Sequence, residues 1–198
     1  TCINQDVLKE KIQIFTSIRC GQKPLWDDPE RGLTSYFRSD EVINTLQISS
    51  MKQEIPIANI LEFSSYKKEV LQKALITLVQ EFDKLHLFER IMLDNMIMDI
   101  SEHLPMLVTS HLKQKELQLP IVNSPSFPLL SAITDAIIQP SLMYISSKCE
   151  KKLLDGWGLT LCPVCGQIPS VAVKPETEVW RFKCSFCLTE YKIDIFTC

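Results

Sequence analysis

Cys162-Pro163-Val164-Cys165-Gly166 and, after a further seventeen residues, Cys184-Ser185-Phe186-Cys187 are the residues on which the reading of this chain turns. The spacing is C-x2-C-x18-C-x2-C, which suits two metal knuckles brought together by an intervening hairpin. Thiolate is a soft, strongly donating ligand. Four thiolates at tetrahedral corners satisfy Zn²⁺ or a single iron, so Cys162, Cys165, Cys184 and Cys187 are the candidate metal ligands.

Two residues between the cysteines of a pair let both sulfurs reach one ion while the backbone amides between them turn inward. Gly166 fits the exit from the first knuckle, where positive φ is common, and Pro163 stiffens the entry. The second knuckle has Leu188 at the matching place, so its exit is expected to differ. Around the cysteines the texture is that of a small β domain. Gly156-Trp157-Gly158 opens it, and apolar-polar alternation follows through Val171 and Val173, through Val179, Arg181 and Phe182, and through Tyr191, Ile193 and Ile195. About 40 residues with few aliphatic side chains bury too little surface to fold alone, so metal binding would supply most of the folding energy of this piece. The plainest account is a closed structural site without chemistry at the metal, since four thiolates leave no position for a substrate. A redox or metal-handling role is the alternative, and disulfide pairing of the same cysteines is a weaker one.

Eight cysteines in all do not make a disulfide framework, because Cys2, Cys20 and Cys149 are scattered while the others crowd the last segment. The scattered three read as small buried apolar side chains.

Upstream of the ribbon the pattern is helical. From Cys2 to about Glu150 apolar residues recur at helical spacing, and the stretch holds only Gly21 and Gly32. A first helix is expected over Val7, Leu8, Ile12, Phe15 and Ile18, stopping before Gly21. An irregular loop follows from Gln22 to Ser39 with Pro24, Trp26, Pro29 and Gly32. Pro56 is placed to open a short helical turn, and Ser64 or Ser65 to cap the long helix beyond. Val70, Leu71, Ala74, Leu75, Leu78, Val79, Phe82, Leu85, Phe88, Met92 and Met96 give that helix a broad apolar face of the kind a bundle core uses. Pro120, Asn123, Pro125 and Pro128 make Leu119 to Pro128 an extended crossing. Helix resumes over Leu129, Leu130, Ile133, Ile137, Ile138, Leu142 and Ile145, with Pro140 expected to kink or split it. The fold class is therefore α+β: a mainly α-helical domain over residues 1–154 and a small rubredoxin-like or zinc-ribbon β domain over 155–198.

Composition excludes several classes of function. The chain has 198 residues, 45% hydrophobic and 23% charged, with 21 Lys+Arg against 24 Asp+Glu and a net charge of -3. That is too apolar and too evenly charged for a disordered segment, and no apolar run reaches the roughly 18 residues of a membrane span. No secretory signal opens it, so a cytoplasmic location is expected. Neither the whole chain nor the ribbon has the positive footprint of a nucleic-acid binder. From Gly156 onward Lys174, Arg181, Lys183 and Lys192 are matched by Glu176, Glu178, Glu190 and Asp194.

Catalytic motifs are missing too. His86, His103 and His111 lie in or near apolar helical segments without an H-E-x-x-H pair, and there is no G-x-S-x-G elbow, phosphate loop or dinucleotide turn. An enzyme is not expected. Met92, Met96 and Met98 suit core packing or an adaptable surface. Trp26 is either a plug over the bundle or an interface anchor.

Trp157-Gly158, Cys162-Pro163-Val164-Cys165-Gly166 and Arg181-Phe182-Lys183-Cys184-Ser185-Phe186-Cys187-Leu188-Thr189-Glu190-Tyr191 together resemble the FdhE family of formate dehydrogenase accessory proteins. The family pattern runs C-P-V-C-G, then an aromatic strand into C-S-x-C-x-T-E-[WY]. The match covers Trp157 to Cys198. Over the helical part the resemblance is architectural only. It implies a cytoplasmic maturation factor, carrying rubredoxin-like metal sites, that binds the catalytic subunit of a molybdenum or tungsten formate dehydrogenase. The matching ligands are Cys162, Cys165, Cys184 and Cys187. Family members continue to a second four-cysteine site, and Cys198 sits where its first ligand would be.

The leading expectation is thus an accessory protein, with Zn²⁺ or iron in the ribbon and enough apolar helix surface for a homodimer. The alternatives are a zinc-ribbon nucleic-acid module and a rubredoxin-type electron carrier.

Overall fold

The computed structural model describes residues 39–61, 68–84, 103–113, 127–173 and 180–192. Several expectations lie outside them: the first helix, the Trp26 loop, the Ser64 or Ser65 cap, the methionine cluster, His86, Cys2, Cys20 and Cys198. So do the long helix beyond Lys84, the crossing up to Ser126, and Val179, Ile193 and Ile195.

The described part is helix-rich, with a small antiparallel sheet near its C-terminal end. Helix α1 runs Asp40–Gln53 with Asp40 and Glu41 in its first turn, where carboxylates favour the dipole. It ends at Glu54, whose φ of 54° carries its N–H back to the Ser50 carbonyl. Pro56 then opens α2, Ile57–Ile60, as its position suggested. Helix α3 spans Lys68–Lys84 and buries Leu71, Ala74, Leu75, Leu78, Val79 and Phe82 on one side. That stripe is the apolar face read from the sequence, as far as Phe82.

Helix α4 occupies 103–113 and buries Leu104, Leu107, Val108 and Leu112. Helix α5, Phe127–Lys148, is the long central element. It starts at Phe127, so Pro128 belongs to its first turn rather than to the crossing; a proline there forfeits no intrahelical bond. Pro140 does not split it, and the helix continues for two further turns. Burial of Leu130, Ile133, Ile137, Ile138, Leu142 and Ile145 on several sides compensates for one missing donor.

Helix α6, Lys151–Leu154, ends the helical part. Its junction with α5 is clamped by Gln47, which is 1% exposed. Its Nε2 donates to the Glu150 carbonyl at 3.0 Å, and the Glu150 N–H donates to its Oε1 at 2.9 Å.

Strands β1 (Val171–Val173), β2 (Arg181–Lys183) and β3 (Glu190–Lys192) form a meander in that order. Ala172 pairs with Phe182, and Phe182 with Tyr191. The last two rings lie 6.3 Å apart on one face of the sheet. The buried core is continuous, running from Ile43 through α3 and α5 to Trp157, Cys162, Cys165, Cys184, Cys187 and Tyr191. Among the described residues no helix is long and apolar enough to cross a membrane.

Candidate metal centre

Each knuckle is built by the same pair of backbone hydrogen bonds. In the first, Cys162 N–H donates to the Gln167 carbonyl at 2.9 Å and Gly166 N–H to the Cys162 carbonyl at 2.8 Å. In the second, Cys184 N–H donates to Thr189 at 3.0 Å and Leu188 N–H to Cys184 at 2.9 Å. The exits match as well: Gly166 has φ 75° and Leu188 φ 60°. The expectation that Leu188 would make the second exit different is therefore wrong. The two-residue spacing and the backbone bonds dictate a left-handed exit whatever side chain is there, and leucine is held in it.

The knuckles face each other. Cys162 Sγ lies 3.4 Å from Cys187 Sγ, and Cys165 Sγ lies 3.4 Å from Cys184 Sγ. All four sulfurs fall within 4.8 Å of one another and all four residues are buried. Disulfide bonds are about 2.05 Å long, so these contacts are not disulfides. A zinc ion with Zn–S of about 2.3 Å spaces its sulfurs by roughly 3.8 Å in a tetrahedron. The donor set and its spacing fit such an ion, and the four cysteines can hold a metal.

Electrostatics point the same way. Hydrogen bonds with Cys162, Cys184 and Cys187 hold the Cys165 thiol far above its ordinary range, whereas those from Cys162, Cys165 and Cys187 pull Cys184 far below. Burial pushes Cys162 up, but hydrogen bonds from Cys165 and Cys187 bring it below the ordinary value. Cys187 is raised, first by its bond with Cys162. Without a cation the cluster must share protons, because four buried negative charges this close cannot coexist. A divalent or trivalent cation removes that conflict.

Helices hold both knuckles. The first two N–H groups of α2, at Ile57 and Ala58, donate to the carbonyls of Pro163 and Val164 at 2.9 and 2.8 Å. Orphan donors of a helix start thus meet orphan acceptors of a knuckle. On the other side Gln139 Nε2 donates to the Phe186 carbonyl at 2.8 Å, and the His111 ring sits 6.0 Å from that of Phe186. His111 Nε2 lies 2.6 Å from Asp135 Oδ1, so this histidine pairs with a carboxylate in the helical part.

The sheet is anchored separately. Arg181 makes a two-pronged contact with Asp155, at 2.6 and 3.2 Å. Trp157 Nε1 donates to Leu161 at 2.7 Å, and the fully buried Tyr191 hydroxyl donates to Thr160 at 3.1 Å.

The site cysteines were legible as a pattern, and the structure brings all four together. Cys149 is a half-buried thiol packed against the core. Gln139, Ser146 and Asp155, and the docking of α2 on the first knuckle, are the parts that sequence reading missed. The partners of these three side chains lie 26 to 47 residues away in the chain, and a single polar side chain carries no signal of what it will bond. Comparison of the chain with family models, with curated proteins and with solved structures finds no match.

Proposed function

We propose that this chain is a metal-ribbon accessory protein that binds the catalytic subunit of a molybdenum or tungsten formate dehydrogenase in the cytoplasm and assists its maturation. The observation that carries the reading is the pattern from Trp157 through C-P-V-C-G to C-S-F-C-L-T-E-Y, which resembles the FdhE family. The geometry is compatible with that role. The four cysteines are 0 to 3% exposed, which suits a closed four-thiolate site that shapes a rubredoxin-like ribbon. Bound Zn²⁺ or iron would supply folding energy there.

Two features weigh against the alternatives. An electron carrier of the rubredoxin type needs an approachable sulfur, and these are covered. A nucleic-acid module needs excess positive charge, which the ribbon lacks.

The test is capture of purified formate dehydrogenase catalytic subunits by the tagged, metal-loaded chain under anaerobic conditions. A complex that survives moderate salt is expected, weakened by Cys184→Ser. No binding to any such subunit would sink the reading.

A further inference from the structure

The two knuckles share a backbone but not their surroundings. Two residues past the last cysteine of each, Gln167 and Thr189 do the same main-chain work, accepting from Cys162 and Cys184 respectively. Only the second brings a hydroxyl to a ligand sulfur. Thr189 Oγ1 lies 2.9 Å from Cys187 Sγ and 2.8 Å from Ser146 Oγ on α5, and Thr189 is 1% exposed. Among the described residues no hydroxyl reaches the sulfur of Cys162, Cys165 or Cys184.

A buried hydroxyl is costly unless it is bonded, and the backbone role of this position requires no hydroxyl. Valine has nearly the same shape. The oxygen of Thr189 therefore has its own purpose, and its neighbours show which. In the structure Thr189 Oγ1 donates to Ser146 Oγ. A ligating thiolate has no proton to give, so with a metal on Cys187 the direction reverses, Thr189 donating to that sulfur and Ser146 to Thr189. Ser146 stands seven residues from Gln139, on the same side of α5, and Gln139 holds the Phe186 carbonyl of the same knuckle. One helix face thus grips both the backbone and the sulfur of the second knuckle.

We propose that Thr189 and Ser146 are positioning residues for Cys187: a hydroxyl relay from α5 that orients this one ligand, withdraws charge from its sulfur and secures the metal. The inference rests on the reading of the four cysteines as a metal centre. Outer-shell partners of this kind typically change metal affinity about 10- to 100-fold when removed.

Co²⁺ is the probe, because its four-thiolate complexes have sulfur-to-metal charge-transfer bands in the near ultraviolet. The intact chain, Thr189→Val, Thr189→Ser and Ser146→Ala are titrated with Co²⁺ against a competing chelator. For Thr189→Val we expect a charge-transfer band shifted to longer wavelength and affinity about 10-fold lower. Ser146→Ala should shift both in the same direction by less, and Thr189→Ser should restore both. A Thr189→Val protein with the band position and affinity of the parent would overturn the proposal, as would a Thr189→Ser protein that behaves like Thr189→Val. A parent chain that never develops a four-thiolate spectrum would instead overturn the metal centre itself, and the relay with it.

Discussion

Leu188 stands in the second knuckle where Gly166 stands in the first, with the same left-handed backbone and the same hydrogen bond to the leading cysteine. Left-handed φ costs a residue with a Cβ roughly 1–2 kcal/mol, and glycine nothing. The pair places one strained position and one unstrained position on an equivalent backbone.

Exchanging the two residue types should therefore have opposite effects. Gly166→Ala should lose about 1–2 kcal/mol of stability in the metal-loaded protein. Leu188→Gly should lie between no change and a gain of about 1 kcal/mol, because relief of strain is offset by the greater chain entropy of glycine. Thermal denaturation of the two variants beside the parent measures this. Equal losses in both would show that the second exit is not strained.

Chelation should be felt beyond the ribbon. The starting N–H groups of α2 are held by knuckle carbonyls, and the C-terminal half of α5 by Phe186 and Thr189. Hydrogen exchange is predicted to quicken in the ribbon, at Ile57 and Ala58 and over the last turns of α5 when a strong chelator is added, with α3 still protected. Exchange that changed only within residues 157–192 would show that these contacts transmit nothing.

Cys149 ties stability to alkaline pH. Burial, reinforced by charge on Cys162, raises its thiol from 9.0 to about 12. The folded chain thus keeps a proton that the unfolded chain releases, so the contribution is complete below pH 9.0 and disappears as pH climbs through about 12. Relative to a Cys149→Ala variant, the parent should lose stability steadily across that window. Urea denaturation of both proteins over the same range decides it, and a constant difference between them would contradict the assignment.

How much of this was legible beforehand follows from the distance between cause and effect along the chain. The C-x2-C pairs, Gly166 and the apolar stripe of α3 are local patterns, and each produces the element that its spacing implies. Leu188 misled because side-chain identity was read as the cause of the turn, whereas the ligand spacing and the Cys184 carbonyl impose it. Pro140 leaves α5 unsplit for a related reason: the burial of that helix outweighs one absent donor. Gln47 meeting Glu150, and Ser146 meeting Thr189, are contacts across 103 and 43 residues. No periodicity announces them, since they exist only once distant parts of the chain have packed together.

The central claim is that Cys162, Cys165, Cys184 and Cys187 form a single tetrahedral metal centre. X-ray absorption at the metal edge, with elemental analysis of anaerobically purified protein, tests it most directly. The prediction is a single Zn²⁺ or iron ion per chain with four sulfur neighbours at about 2.3 Å, lost in Cys184→Ser. Protein without metal, or metal bound mainly by nitrogen and oxygen, would contradict it.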